Sequence, residues 1–209
     1  MPVRNLKPSY RGLPSRTKSL KAGNRHVFGE STLERDLYIL FEFFLWVVSY
    51  EEQPLTLPYL DVDEKLRKYT PDTQAHLRID GHDEQWLYEV KYRADLWAEW
   101  NELRWKFRGA VRYCRENGFD RFKILTEKEI RGPKLDNIKR FLKKRSAVVD
   151  PVLKDFMLKL LEGGLVLDVR TVLMRLRDQG IEENTANVAL SHLIATHKIG
   201  LDLDVPFTY

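Results

Sequence analysis

The chain has 209 residues, with 35 Lys and Arg against 31 Asp and Glu and a formal net charge of +4. Its single cysteine, Cys114, excludes an intramolecular disulfide and any cysteine-rich zinc site, and points to a reducing, cytoplasmic setting. The longest apolar stretch, near Leu37 to Val48, is interrupted by Glu42 and too short to span a bilayer, so neither export nor membrane insertion is expected.

Charge is distributed unevenly. Residues 1–29 carry seven basic residues (Arg4, Lys7, Arg11, Arg16, Lys18, Lys21, Arg25) and no acidic one, among Pro, Gly and Ser with few large apolar side chains. They read as a basic arm that orders only on meeting a partner. Residues 30–90 hold fourteen acidic against five basic residues, and residues 91–145 seventeen basic against eight acidic. An acidic stretch between two basic ones would set metal-binding carboxylates inside a surface suited to a phosphate backbone.

Ser31-Thr-Leu-Glu34 has capping-box spacing, and Leu33, Leu37, Leu40, Phe44 and Val47 recur at helical intervals after it. Glu51-Glu52 and Gln53-Pro54 read as a break. Leu55, Leu57 and Tyr59 alternate as a short strand would, and so do Thr73, Ala75, Leu77 and Ile79. After a turn at Gly81-His-Asp-Glu84, Trp86 to Lys91 forms the third strand of a meander. From Ala94 to Glu116, the stripe Leu96, Trp100, Leu103, Phe107, Ala110 and Cys114 predicts one long amphipathic helix. Phe119 to Thr126 then reads as a strand, and Pro133 to Lys144 as a basic helix that closes the domain.

From about Ala147 the pattern changes. Helices are expected over Pro151 to Leu161, Val169 to Leu176 and Thr185 to Ala195, with a break at Gly163-Gly164, and the alternation Ile199, Leu201, Leu203, Val205 predicts a terminal strand or wing. The expected organisation is a flexible arm over 1–29, an α/β domain over 30–146 with a mixed sheet flanked by helices, and a winged-helix-like module over 147–209 for binding DNA or a partner.

The chemistry centres on Pro71-Asp72 followed by Glu89-Val90-Lys91. Alternate side chains of a strand face one way, so Glu89 and Lys91 share a face, and a hairpin would bring Asp72 beside them. Two neighbouring carboxylates make a hard oxygen site for Mg²⁺ or Mn²⁺, which would lower the pKa of a bound water and offset charge building on a scissile phosphate. Lys91 would orient that water or stabilise the phosphorane. Plainer readings stand beside these: Asp72 as a turn residue, Glu89 and Lys91 as a solvated strand face, Glu34 as a capping residue only. Arg104, Arg108, Arg112 and Arg115 fall at three- and four-residue spacings, a basic ridge suited to phosphates, and Lys18, Lys21 and Arg25 of the arm are further DNA-binding candidates. His192 and His197 are wrongly spaced for one helix face, so no metal role is assigned to them.

Phe28-Gly-Glu-Ser-Thr-Leu-Glu-Arg-Asp36, Tyr50-Glu-Glu-Gln-Pro54, Tyr69-Thr-Pro-Asp-Thr73, Tyr88-Glu-Val-Lys-Tyr92, Leu190-Ser-His-Leu-Ile194 and Ile199-Gly-Leu-Asp-Leu-Asp-Val-Pro206, in this order, resemble TnsA, the endonuclease subunit of heteromeric bacterial transposases. The resemblance implies a restriction-endonuclease-like fold of the PD-(D/E)XK type and places the nuclease residues on Glu34, Asp72, Glu89 and Lys91. The expected Mg²⁺ ligands, with Mn²⁺ as a substitute, are Asp72, Glu89, the backbone carbonyl of Val90, and Glu34. The family prototype has Gln where this chain has Glu89, and the carboxylate should hold the cation more tightly.

The resemblance further implies cutting of the 5′ strands at transposon ends, beside a DDE transposase (TnsB-like) that acts on the 3′ strands and an AAA+ ATPase regulator (TnsC-like). CRISPR-associated or other targeting proteins are further expected partners, and the expected location is the bacterial cytoplasm, at the nucleoid when active. A stand-alone restriction or repair nuclease and a non-catalytic DNA-binding assembly subunit remain the rival readings.

Overall fold

In the structure, a computed structural model, residues 15–161 and 169–207 are described. Arg4, Lys7 and Arg11 of the expected arm, and the expected break at Gly163-Gly164, lie outside the described residues. The chain divides into two units, Met1–Ile130 and Arg131–Tyr209.

In the first unit, part of the segment read as an arm is a hairpin of β1 (Ser15–Ser19) and β2 (Arg25–Gly29). Buried carboxylates from beyond the segment hold it. Ser19 Oγ donates to Glu42 Oε1 and the Leu20 N–H to Glu42 Oε2, while Lys21 Nζ donates to the carbonyls of Phe41 and Phe44 at the end of α1 (Thr32–Phe43). Both terminal nitrogens of Arg25 reach Glu52 at 2.6 Å. The composition of residues 15–29 gave no hint of this because the anchoring acids lie elsewhere in the sequence.

Helix α1 begins where the capping pattern placed it: Ser31 Oγ accepts from the Glu34 N–H at 3.1 Å. It buries Leu33, Leu37, Leu40 and Phe41 but stops at Phe43, earlier than its apolar spacing predicted, because Phe44 turns extended (φ −70°, ψ 126°). The β-branched pair Val47-Val48 opens β3 (Val47–Glu52), in which Val47, Tyr50 and Glu52 are buried. Glu51-Glu52 therefore belong to a strand and not to a break.

Strands β4 (Leu57–Leu60) and β5 (Leu66–Tyr69) pair antiparallel. The sequence showed no sign of β5, since only Tyr69 among its residues is buried. β6 (Thr73–Ile79) and β7 (His82–Val90) form a hairpin across Asp80 (φ 51°) and Gly81 (φ 84°), two left-handed residues of the kind that match the twist of a tight hairpin. The main sheet has the order β3-β6-β7-β8, antiparallel except where β8 (Arg121–Leu125) lies parallel to β7.

The predicted long helix is divided at Glu99 into α2 (Arg93–Ala98), which buries no residue, and α3 (Trp100–Glu116), which buries Leu103, Phe107, Ala110 and Cys114. Tyr38 and Phe41 of α1 meet Tyr50 and Tyr88 at ring distances of 5.3–5.4 Å. A second apolar cluster joins Leu57, Tyr69 and Leu87 to Ala110 and Cys114 of α3. The short α4 (Glu127–Ile130) follows β8. This mixed sheet flanked by helices agrees with the restriction-endonuclease-like core expected from the sequence.

The second unit contains α5 (Pro133–Leu142), α6 (Pro151–Leu161), α7 (Val169–Asp178) and α8 (Glu183–Ala195). Helix α5, expected to close the sheet domain, buries Leu135, Ile138 and Phe141 and packs against α8. The predicted wing is not formed: among the described residues, no strand follows α8. The buried Asn137 takes the place of a strand partner. Its Nδ2 donates to the carbonyls of Leu203 and Val205, and its Oδ1 accepts from the Phe207 N–H. No described helix is long and apolar enough to cross a membrane.

Candidate active site

The site forms where the β6–β7 ladder ends. Thr73 pairs with Tyr88, and beyond that pair the Asp72 side chain takes over from the backbone: its Oδ2 accepts from the Val90 N–H at 2.7 Å. The Asp72 carbonyl accepts from the Gln53 N–H at 2.9 Å, tying the residue to the end of β3 on its other side. The Lys91 N–H donates to the Leu125 carbonyl at 3.1 Å, which fixes the backbone after β7 against β8. Glu89, 5% exposed, accepts a short hydrogen bond from the Tyr69 hydroxyl at the end of β5.

Glu34, on the first turn of α1, uses both of its oxygens. Oε1 accepts from Ser31 Oγ at 2.8 Å and Oε2 from the Glu30 N–H at 3.0 Å. The capping box thus forms with its return bond made to Glu30, one residue before the cap. Gly29 leaves room for this approach, since a Cβ there would come within 3.2 Å of the Glu34 Cβ.

Burial and mutual repulsion hold these acids well away from ordinary carboxylate behaviour. Burial pushes Glu34 up to about 8, and the charge of Asp72 adds to the shift. Burial raises Asp72 as well, with Glu89 contributing next. Glu89 is raised by burial, against the lowering effect of the Tyr69 hydrogen bond and the charges of Lys91 and Lys106. Burial pulls the Lys91 ammonium down, but Glu89 and Asp72 outweigh it, so Lys91 stays protonated above its ordinary range. Glu34, Asp72 and Glu89 are therefore within electrostatic reach of one another, and Lys91 of Asp72 and Glu89.

Among the described residues, no group of three or more His, Cys, Asp or Glu side chains is arranged to hold a metal ion. Mg²⁺ does not need such a group; it is commonly held by one or two carboxylates and keeps several waters. Asp72, half-buried, and Glu89, buried, with the Val90 carbonyl between Glu89 and Lys91, are a donor set of that kind, and a cation there would offset the repulsion that, after burial, raises both acids.

Tyr69 and Lys106 were not singled out from the sequence. Tyr69 stands three residues before Asp72 but sits on a strand without periodic signal, and Lys106 looks like one more solvated charge on α3. Of the DNA-binding candidates, Arg108, Arg112 and Arg115 are exposed and Arg104 is half-buried. Together they line a groove of about 910 Å³ floored by Phe107, Phe122 and Ile124. Arg104 and Arg108 lie over the Trp105 ring at 5.3 and 5.0 Å. Lys18 is exposed. Lys21 and Arg25 are half-buried and bonded to the folded unit, at the end of α1 and on Glu52, which corrects their reading as residues of a free arm.

Residues 46–127, less than half of the chain, match the family described as TnsA-like endonuclease N terminal. No curated protein matches the chain significantly. The match contains Asp72, Glu89 and Lys91 and begins after Glu34. The chain thus carries, over the segment that builds most of the sheet and three of the four candidate residues, a domain similar to the N-terminal domain of TnsA-like endonucleases.

Proposed function

We propose that this chain is a metal-dependent DNA endonuclease that hydrolyses one strand at transposon ends, leaving 3′-hydroxyl and 5′-phosphate termini. The observation that carries the reading is the meeting of Asp72, Glu89 and Lys91 at the open end of the β6–β7 ladder, inside the segment similar to TnsA-like endonucleases. Asp72, Glu89 and the Val90 carbonyl would hold Mg²⁺, with Mn²⁺ as a substitute. When bound, the cation supplies an acidified water and a counter-charge for the phosphate.

The chain's own groups do the rest. Lys91, protonated beside two acids, donates to the attacking water or to a non-bridging phosphate oxygen. Tyr69 holds the Glu89 carboxylate in one orientation, and Glu34 closes the acidic wall from α1. Exposed arginines of α3 and Lys18 take phosphates without regard to sequence. Selection of the transposon ends then belongs to partners, for which the resemblance points to a DDE transposase and an AAA+ regulator.

Asp72→Ala and Glu89→Ala should each abolish 5′-strand cutting in a reconstituted end-cleavage assay while the far-ultraviolet spectrum stays native. Wild-type cutting by Asp72→Ala in Mg²⁺ would overturn the assignment and favour a non-catalytic assembly subunit. Vigorous cutting by the wild-type chain alone would favour a stand-alone nuclease.

A further inference from the structure

In the second unit a groove of about 430 Å³ runs between α5 and α8. Its first wall carries Lys139, Arg140, Lys143 and Lys144, whose spacing of one and four residues puts four cations on one face of α5 and the turn after it. Its second wall carries Asn184, Asn187 and Ser191, three and four residues apart on α8.

The walls are pinned in place. Arg140 donates to the Phe207 carbonyl at 2.9 Å, and His192 Nδ1 donates to the Lys144 carbonyl at 3.3 Å. Among the described residues, the buried Asn187 amide oxygen has no hydrogen-bond partner.

We infer that this groove binds the phosphodiester backbone of duplex DNA, as a contact separate from the α3 arginines. Lys, Arg, Asn and Ser side chains are the groups that proteins aim at phosphate oxygens. Val188 is the one apolar residue of the lining and Asp136 the one acid. An acidic protein segment would meet the cations but find no apolar floor to bury its own side chains, and lysine is depleted from the cores of protein interfaces. The inference rests on the reading that the chain acts on DNA and adds a place where the second unit holds it.

The test measures binding of the full-length Asp72→Ala protein to a short fluorescent duplex of arbitrary sequence, by anisotropy across a salt series. Lys143→Glu with Lys144→Glu should weaken binding by about tenfold or more near 0.1 M salt and lower the slope of log affinity against log salt by nearly two units. Lys65→Glu with Lys68→Glu, on the β4–β5 hairpin, makes the same change in net charge and should weaken binding far less. Asn187→Asp should also weaken binding, because it sets a carboxylate in the groove.

Equal losses from the two lysine pairs would reduce the effect to net charge and overturn the inference, as would unchanged binding in the groove variants. Displacement of the duplex by polyglutamate at equal charge, as effectively as by unlabelled DNA, would reassign the groove to an acidic protein. A chain that binds through the groove but cuts equally well with and without Asp72 would sink the nuclease reading and leave this one standing.

Discussion

Burial and the neighbouring Asp72 hold Glu34 protonated up to a pH of about 8, whereas in the unfolded chain it ionises near 4.5. Between those values the folded state binds more protons than the unfolded one, so stability is fully present below the unfolded pKa and is lost as pH rises through the folded one. In chelator, the melting temperature of the wild-type protein should fall by several degrees from pH 5 to pH 8. Glu34→Gln, which is neutral throughout, should flatten that fall, and Mg²⁺ at pH 8 should reverse part of it in the wild type. A melting temperature that rises over this range in chelator would show that Glu34 is ionised in the fold. That Asp72 lies beside the Glu89–Lys91 segment was legible in the sequence, because strand alternation and a Pro-Asp turn have fixed geometry. Tyr69 and Lys106 were not, since their approach to Glu89 depends on how β5 and α3 pack, which no local pattern encodes.

The stripe on α3 named the residues that lie against the sheet, Leu103, Phe107, Ala110 and Cys114, but not what crosses the helix beside them. There Gly109 meets β4: a Cβ at this position would overlap the Cβ of Tyr59. Helix propensity alone predicts that Gly109→Ala stabilises the protein by up to about 1 kcal/mol. The overlap reverses the sign, and the substitution should instead cost about 1–3 kcal/mol in chemical denaturation, because β4 and α3 must separate. A gain in stability would mean that β4 does not lie there. The errors at this scale share one cause. The β1–β2 hairpin is held by Glu42 and Glu52, and α1 gives way to β3 at Phe44, so in both places partners distant in sequence outweigh local composition and period.

Asn137 is a buried polar anchor of the second unit. Asn137→Ala would leave the buried Phe207 N–H without its acceptor, at a cost of about 1–3 kcal/mol, and the carbonyls of Leu203 and Val205 without their donor. Scanning calorimetry should show the transition of the second unit moving down while that of the first, followed through the Tyr38–Tyr50 aromatic cluster, stays in place. Equal shifts of both would mean that the chain unfolds as one body. The sequence suggested a second module but misread its ending, because the alternation of Ile199, Leu201, Leu203 and Val205 describes an extended segment equally well whether its partner is a strand or one amide side chain.

The bond from Asp72 Oδ2 to the Val90 N–H has a consequence for which acids the position accepts. With a side chain standing where a main-chain rung would be, the reach of that side chain sets the gap between two strands. An aspartate is the shorter of the two acids and fits the gap it defines. Asp72→Glu keeps the charge and the oxygens but adds a methylene to the rung, so it must either push β6 and β7 apart or swing its carboxylate away from Val90. It should therefore cut no better than Asp72→Ala in the end-cleavage assay. Substantial cutting by Asp72→Glu would show that the spacing at this rung is adjustable and that charge alone is what the position requires.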